Sequence, residues 1–512
     1  MVSEGTDMFK VIVSKKEVVA AVLPMQEHWL PLSNLDLLLP PVDVGLFFCY
    51  QKPNISSSSS SSPDNKLIYS CSFESMVGVL KKALAETLAS FYAFGGEVVP
   101  NSVGEPELLC NNRGVDFIEA FADVELKHLN LYNPDQTIEG KLVLTKKHGV
   151  LAVQVTELKC GGMVVGCTFD HRIADAHSAN MFMVSWAQTA AHSSDSDSDT
   201  NSKARLPCFR RSLLNPRRPA SIHPSIDHMY IPVTALPPPK HAHPEVAAGG
   251  AEINNHHDHD HLISRIYYVK AHQLDHLQKA ASCIHNHNHG HVNCSNSSSS
   301  RTKLESFSAF LWKMVATCHA HDNHDHAQKL CKMGIVVDGR KRLTQGNNNN
   351  NNNNNNMESY FGNVLSIPFG SIKVEDLIQK PLHWVAAQVH EFIQAAVTKD
   401  HFLGLIDWVE AHRPVPGLAR IYATGSQEGP AFVVSSGQRF PVSKVDFGWG
   451  RPAFGSYHFP WGGDAGYVMP MPSPSGNGDW VVYMHLSSKH MELIENQAHP
   501  VFTPFTFDYL NI

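Results

Sequence analysis

One short segment, Cys167–Ser178, constrains the fold more than any other part of the sequence, because a strand pattern changes into a helix pattern within it. The preceding run, Gly162–Cys167, is short, apolar and typical of a strand, and apolar residues recur at helical spacing from Ser178 onward. His171 therefore lies between a strand and a helix. A neutral imidazole held there can remove a proton from a hydroxyl or an amine near neutral pH. Asp175 can either orient the ring or brace the loop.

The spacing of His171 and Asp175 is not specific by itself, because the chain contains 32 histidines. A second motif, Asp-Phe-Gly-Trp-Gly at Asp446–Gly450, lies far downstream. Together the two resemble the signature pair of the BAHD family, the plant acyltransferases that use acyl-CoA thioesters. Leu32–Asp36 adds a weaker similarity to an early Leu-Ser-x-x-Asp stretch of that family. The resemblance covers nearly the whole chain. It implies an α/β fold of two similar chloramphenicol-acetyltransferase-like lobes of mixed sheet plus helices, with the active site at their interface.

The length of the chain, 512 residues, exceeds the usual size of a single hydrophobic core, so we expect two domains. A Ser- and Asp-rich stretch is followed, from Leu206, by Pro-rich sequence without steady periodicity. We therefore predict an N-terminal lobe over residues 1–205 that carries the His171 motif. A crossover connector follows over 206–260, and a C-terminal lobe over 261–512 carries the second motif.

The formal net charge of −7, with mixed signs, gives no argument for binding nucleic acid. No apolar stretch reaches the ~18 residues that a membrane span needs, and the N-terminal residues lack the apolar region of a signal peptide. The ten cysteines are scattered singly, which fits reduced thiols. We expect a cytoplasmic monomer that does not bind a membrane and whose partners are small molecules.

Hydrophobic periodicity predicts strands and helices in both halves of the chain. The clearest helix runs over Phe73–Phe91, and another over residues 304–314 follows the Thr302 and Glu305 of a capping box. The main predicted strands are residues 8–22, 115–118, 150–156, 262–269, 334–340, 432–434 and 480–486.

Three histidine-rich segments, 256–261, 285–291 and 319–326, contain residue types that bind zinc, copper or nickel. They lie in Asn-, Ser- and Asp-rich sequence rather than on elements with apolar surroundings. We interpret them as solvated loops and expect no bound metal. The alternative to an acyltransferase is a His-rich metal-binding protein. Deletion of the three segments distinguishes the two hypotheses, because an acyltransferase should keep its activity without them.

The sequence contains neither the Gly-x-Ser-x-Gly motif of serine hydrolases nor a Walker-type Gly-Lys-Ser/Thr motif. We therefore expect the activated acyl group to arrive as a thioester, with acyl-CoA as co-substrate and no bound cofactor. As general base, His171 removes a proton from the acceptor, which attacks the thioester carbonyl. CoA then leaves the tetrahedral intermediate without a covalent acyl-enzyme.

Further site residues follow from the resemblance. Ser435 is similar to the family hydroxyl that faces the oxyanion, and an ordinary strand hydroxyl is the alternative. Gly437 stands where the family usually has tryptophan, which implies a wider acceptor side. The resemblance also implies that Asp175 turns away from the pocket to pair with an arginine and hold the His171 loop, and Arg340 is the candidate. A structural role is implied for Asp446, Phe447, Gly448, Trp449 and Gly450.

Within the family, Met25–Asp36 and Ser435–Pro441 look most like coniferyl alcohol acyltransferases. This likeness implies an acetyl or hydroxycinnamoyl donor and a phenylpropanoid alcohol such as coniferyl alcohol as acceptor. Transfer to a shikimate- or quinate-type acid, or N-acylation of an amine, stays open. A degenerate member that only binds ligands stays open too, because Ala176 replaces the glycine that the family usually has after the aspartate.

Overall fold

The computed structural model describes residues 9–53, 72–192, 206–235, 261–282, 300–321, 329–344, 357–423 and 429–512. In the first half, the predicted helix over residues 73–91 is confirmed, and the Ser72 side chain caps it by accepting a hydrogen bond from the Ser75 N–H. The elements, in chain order, are β1 (Val11–Val19), β2 (His28–Pro31), β3 (Asp43–Tyr50), α1 (Phe73–Ser90), β4 (Glu97–Pro100), β5 (Pro106–Cys110), β6 (Val115–Ala122), α2 (Pro134–Thr137), β7 (Leu151–Leu158), β8 (Met163–Asp170) and α3 (Ala176–His192).

In the second half, the predicted capping box is confirmed. The Thr302 N–H donates to Glu305 Oε2 at 2.7 Å, and the Glu305 N–H donates to Thr302 Oγ1 at 3.2 Å. The elements are α4 (Ser225–Met229), β9 (Tyr230–Pro232), β10 (Leu262–Val269), α5 (Ala271–Ala281), α6 (Lys303–His321), β11 (Leu330–Asp338), α7 (Arg340–Thr344), β12 (Leu365–Ser366), β13 (Phe369–Lys373), α8 (Val374–Gln379), α9 (Leu382–Ala396), α10 (Lys399–His412), β14 (Gly417–Ala419), β15 (Ala431–Ser435), β16 (Phe454–His458), β17 (Gly466–Pro472), β18 (Trp480–Ser487), α11 (Ser488–Gln497) and β19 (Thr503–Pro504).

The first large sheet has six strands in the order β1-β6-β7-β8-β3-β16. Neighbours are antiparallel except for β6 and β7, which are parallel. The edge strand β16 comes from the predicted C-terminal lobe, so the division at residue 261 does not separate the two sheets. Gly45 lies opposite His458 in this pairing, and a Cβ at Gly45 would lie 2.9 Å from the His458 carbonyl oxygen. A glycine at 45 thus permits the close approach of β16.

The second large sheet has eight strands in the order β12-β11-β15-β17-β18-β10-β19, with β13 also paired to β11. Strands β11, β15 and β17 are parallel, and helices α9 and α10 lie in the crossover between the first two. Helices α6 and α9 pack on each other and on β11. This lobe therefore also combines a mixed sheet with helices.

Buried side chains form two clusters. One fills the second lobe, whereas the other begins under the first sheet and continues into Val433 and Met471 of the second. Helices α1 and α3 cover the first sheet, and the fully buried Trp186 of α3 donates from Nε1 to the Leu80 carbonyl of α1 at 3.0 Å. The lobes share apolar packing at their interface, and the predicted two-lobed α/β fold is confirmed.

The seven cysteines within the described residues form no disulfide. Of the histidine-rich segments, 285–291 lies outside the described residues, as do all of 256–261 except His261 and all of 319–326 beyond residue 321. In the described part of the chain, none of the helices is long and apolar enough to cross a membrane. The cytoplasmic location and the monomeric state stay predictions.

Candidate active site

The backbone of His171 is held at the point where β8 ends. Its N–H donates to the Val42 carbonyl at 3.0 Å, and its own carbonyl accepts from Asn363 Nδ2 at 2.9 Å. Val42 precedes β3, and Asn363 belongs to the second half of the chain. The position of the His171 main chain therefore depends on both lobes.

The imidazole of His171 is enclosed on most sides. Nδ1 is buried and has no hydrogen-bond partner among the described residues, and Phe459 presents an edge with the ring centroids 6.0 Å apart. Burial lowers the pKa of His171 from its ordinary value of about 6.5, against the opposing effects of the backbone and of the carboxylates of Asp175 and Asp170. The ring is therefore neutral at neutral pH, which is the form that can accept a proton.

The carboxylate of Asp175 turns to the guanidinium of Arg340. Arg340 Nη1 lies 2.7 Å from Asp175 Oδ2, Nη2 lies 3.1 Å from Oδ1, and both side chains are almost fully buried. The Ser178 N–H at 2.9 Å and the Val364 N–H at 3.2 Å also donate to this carboxylate. Arg340 lowers the pKa of Asp175 despite the opposing effect of burial. The pair thus joins the loop after β8 to the second lobe.

Arg340 also holds the segment Tyr360–Asn363. It donates to the Tyr360 carbonyl at 3.2 Å, to the Gly362 carbonyl at 2.8 Å and to Ser178 Oγ at 3.2 Å. Asp338 Oδ1 lies 3.3 Å from Nη1 of the same guanidinium. The side chain of Arg340 therefore meets oxygen acceptors from five residues, Asp175, Ser178, Asp338, Tyr360 and Gly362, which suits a group that has only donors.

Asp36 and Asn363 form a second buried brace. The backbone N–H and Nδ2 of Asn363 donate to Asp36 Oδ1 at 2.7 and 2.9 Å, and the N–H and hydroxyl of Ser33 donate to Asp36 Oδ2 at 2.8 and 2.7 Å. Because Asn363 also holds the His171 carbonyl, this brace ties an N-terminal turn to the His171 loop. In the sequence, Asp36 was noted only as the end of the Leu-Ser-x-x-Asp stretch, and Asn363 was not among the predicted site residues.

A cavity of about 300 Å³ lies between the lobes, and His171 and Asp175 are in its wall. The first lobe contributes Val44 and Phe169, and the second contributes Ser435 and Tyr467. Much of the remaining wall is apolar or aromatic. These residues include Leu39, Ile367, Tyr422, Phe440, Tyr457, Phe459, Trp461 and Met469.

Ser435 is the last residue of β15 and is 8% exposed. Its hydroxyl forms a hydrogen bond with the phenol of Tyr467, whose pKa is raised by burial and lowered by this bond. A hydroxyl at a cavity wall can donate to an oxyanion, so the position of Ser435 is compatible with the role that the resemblance implies.

The space beside Gly437 is filled. A Cβ at this residue would lie 2.6 Å from Met471 Cγ and 2.9 Å from Met469 Cγ. Gly437 lies in the cavity wall, and methionines of β17 occupy the position that a Cβ would take, so a wider acceptor side stays a prediction.

The Asp446–Gly450 motif is not in the wall of the cavity. Asp446 Oδ1 accepts from the N–H groups of Gly448 at 2.9 Å and Gly450 at 3.0 Å. These glycines have φ angles of 109° and 116°, which side-chain-bearing residues rarely adopt. Phe447 packs on Trp186 of α3 with the ring centroids 4.9 Å apart and on Trp449 at 5.6 Å. The motif thus forms a tight turn against the first lobe.

Comparisons with curated proteins agree over nearly the full length. The chain is 26% identical to shikimate O-hydroxycinnamoyltransferase of Nicotiana tabacum, over 93% of this chain and 96% of that protein. It is 25% identical to (Z)-3-hexen-1-ol acetyltransferase of Arabidopsis thaliana, with coverage of 94% and 93%. It is also 25% identical to anthranilate N-benzoyltransferase protein 1 of Dianthus caryophyllus, with coverage of 91% and 94%.

Solved structures support the fold. Vinorine synthase has a TM-score of 0.63 at 18% identity, over 97% of this chain and 99% of that one. F. graminearum TRI101, solved with coenzyme A and deoxynivalenol, has a TM-score of 0.66 at 13% identity, with coverage of 92% and 98%. The Transferase family profile matches residues 9–500. The chain belongs to this family, and it is, as the sequence predicted, a BAHD acyltransferase.

Proposed function

We propose that the protein moves an acetyl or hydroxycinnamoyl group from acyl-CoA to the hydroxyl of a phenylpropanoid alcohol such as coniferyl alcohol. The observation that carries this proposal is an enclosed histidine with a lowered pKa in a cavity shared by both lobes. Relatives that include hydroxycinnamoyl and acetyl transferases support the choice of donor, and the complex of TRI101 with coenzyme A supports the co-substrate.

In the proposed reaction, neutral His171 takes the proton of the acceptor hydroxyl as its oxygen attacks the thioester carbonyl. The tetrahedral intermediate collapses with cleavage of the carbon–sulfur bond, and the imidazolium returns its proton to the CoA thiolate. No acyl-enzyme forms. General-base catalysis of this kind typically contributes about 10²–10⁴-fold.

Ser435 is the proposed donor to the oxyanion. The Ser435 hydroxyl donates to the phenol oxygen of Tyr467, and because a hydroxyl proton can rotate, it can turn from that oxygen to the intermediate. A donor that is positioned in advance stabilises developing charge without reorganisation. Asp175 and Arg340 keep the proposed role of holding the His171 loop and do not exchange protons with substrate.

The cavity wall supports an aromatic alcohol as acceptor. Its surface is largely apolar and aromatic, which suits a phenylpropanoid ring. Two arginines of the wall could meet an acidic acceptor, but Arg340 is paired with Asp175, and Arg439 Nη1 lies 3.8 Å from Asp338 Oδ2. The charged wall residues thus give less support to an acidic acceptor than the apolar wall gives to an alcohol. Shikimate- or quinate-type acids and amines remain the alternative acceptors and are tested beside coniferyl alcohol.

The test compares His171→Ala with His148→Ala, an exposed histidine of the same lobe. Thiol release from acetyl-CoA and from a hydroxycinnamoyl-CoA is measured with coniferyl alcohol, shikimate, quinate and putrescine, and products are identified by mass. We expect His171→Ala to lose about 10³-fold in kcat and His148→Ala to match the unmodified protein. Turnover retained by a folded His171→Ala protein would refute the proposed base, and a product formed only with an acid or amine would refute the proposed acceptor.

A further inference from the structure

Three side chains of metal-ligand type converge outside the wall of the active cavity. Asp135 lies in α2, Glu139 follows it, and His458 ends β16, the strand that crosses from the second half of the chain into the first sheet. One ligand atom from each lies within 4.8 Å of the other two. His458 Nε2 lies 3.8 Å from Glu139 Oε2.

His458 is buried without a hydrogen bond. Its side chain is 3% exposed, and neither ring nitrogen makes a hydrogen bond to the described residues, with Glu139 Oε2 at 3.8 Å as the nearest charged neighbour of Nε2. Asp135 Oδ1 is buried and unpartnered in the same way. Buried polar atoms are almost always paired, so the unpaired Asp135 Oδ1 and the imidazole of His458, which makes no hydrogen bond, indicate a group with affinity for imidazole nitrogen and carboxylate oxygen.

The other oxygen of Asp135 is already held. The Ser264 N–H of β10 donates to Asp135 Oδ2 at 2.6 Å, and Ser264 Oγ lies 3.0 Å from His485 Nδ1. The second sheet therefore orients the carboxylate of Asp135, and its Oδ1 atom remains available to bind an ion. A partner that fixes a ligand in this way is a general feature of metal sites.

A second cavity of about 250 Å³ is lined by Glu139 and His458. It shares Val42 and Trp461 with the active cavity but does not include His171. This space leaves room for water beside Glu139 and His458. An ion pair between Glu139 and His458 alone would account for Nε2 but would leave His458 Nδ1 and Asp135 Oδ1 unpaired.

We propose that Asp135, Glu139 and His458 bind a divalent transition metal, for which zinc is the best match. Zinc takes histidine nitrogen and carboxylate oxygen at about 2.0–2.2 Å, and sites with three protein ligands keep a fourth position for water. Hard ions such as magnesium prefer oxygen ligands alone. Glu139 is half exposed and can move to close the site. The ion would fasten β16 to the α2 segment.

From the sequence we predicted no bound metal, and that prediction considered only the three histidine-rich segments. The proposed zinc site uses none of those residues. Those segments also offer ligands, so the amount of zinc bound by the chain does not by itself test the proposal. The test is the zinc-dependent shift of the melting temperature, together with the location of the ion.

The full chain is stripped with a chelator and titrated with zinc sulfate, and magnesium sulfate serves as the comparison ion. Zinc at about 100 times its Kd is expected to raise Tm by about 3 °C, and magnesium is not. His458→Phe keeps a flat ring but removes both ring nitrogens, Asp135→Asn keeps the side-chain size, and both should abolish the shift. His272→Ala, an exposed histidine of α5, should retain it.

Anomalous diffraction at the zinc edge locates the ion. A peak between Asp135, Glu139 and His458 is expected. The proposal is overturned by anomalous density that is confined to other histidines, or by a Tm shift that is unchanged in both His458→Phe and Asp135→Asn. Neither readout depends on acyl transfer, so the result is separate from the fate of the proposed function.

Discussion

Substitution of Asp175 by asparagine tests the buried pair that joins the lobes. The change keeps the size of the side chain and removes its charge, which leaves the guanidinium of Arg340, 2% exposed, without its main counter-charge. Its other charged neighbour, Asp338, lies 3.3 Å away and is 32% exposed. Removal of one partner of a buried ion pair typically costs about 3–5 kcal/mol. We expect Asp175→Asn to lower the free energy of unfolding by that amount.

Asp338→Asn is the matched control. It makes the same chemical change beside the same arginine, but at an accessible position, where an ion pair contributes about 0–1 kcal/mol. Unfolding in urea measures both variants. The turnover of the folded fraction is measured in parallel, and Asp175→Asn should also lose kcat because the His171 loop is no longer held.

Equal loss of stability in Asp175→Asn and Asp338→Asn would refute this reasoning. A second variant checks its cause. Replacement of both partners, as Asp175→Leu with Arg340→Met, removes the unpaired charge, and it should recover much of the stability that Asp175→Asn loses. It should not recover turnover, since the apolar pair lacks the hydrogen bonds that Ser178 and Val364 donate to Asp175.

Two further predictions concern catalysis and acid stability. Ser435→Ala should lower kcat by about 100-fold with little change in KM. Its exposed neighbour Ser436 provides the control, and Ser436→Ala should keep the kcat of the unmodified protein. Equal kcat values for Ser435→Ala and Ser436→Ala in steady-state assays would contradict the oxyanion role. Burial lowers the pKa of His401 from 6.5 to about 4, so the unfolded chain binds a proton that the folded chain excludes, and stability is lost as pH falls from 6.5 to about 4. At 1.36 kcal/mol per pKa unit, the free energy of unfolding should fall by about 3 kcal/mol. The urea midpoint is measured at several pH values in this range, and it should decrease less steeply with falling pH in His401→Gln than in the control His148→Gln. The same pH dependence in both variants would contradict the prediction.

Much of the fold and of the candidate site could be predicted from patterns of residues that are close together in the sequence. The helix over residues 73–91 and the capping box at Thr302 depend on spacing and on neighbouring side chains, so they are visible in the sequence. The two motifs at His171 and Asp446 indicated the family, which the comparisons confirm. Arg340, chosen from the sequence as the partner of Asp175, lies 2.7 Å from it.

Other features depend on contacts between distant parts of the chain. The hydrogen bond between Asp36 and Asn363 spans 327 positions, and β16 joins a sheet made from the other half of the chain. The methionines that lie beside Gly437, Met469 and Met471, come from the neighbouring strand β17 and are more than 30 positions away in the chain. No local pattern contains such information.

The sequence by itself determined the family, the alternation of strands and helices, and the histidine around which the chemistry is proposed, because each depends on residues close together in the chain. Only the tertiary structure decided that Asn363 binds Asp36 and the His171 carbonyl, what fills the cavity wall, and that Asp135 and His458 meet. Those outcomes follow from strand register and lobe packing, which bring together atoms hundreds of residues apart and bury polar groups away from water.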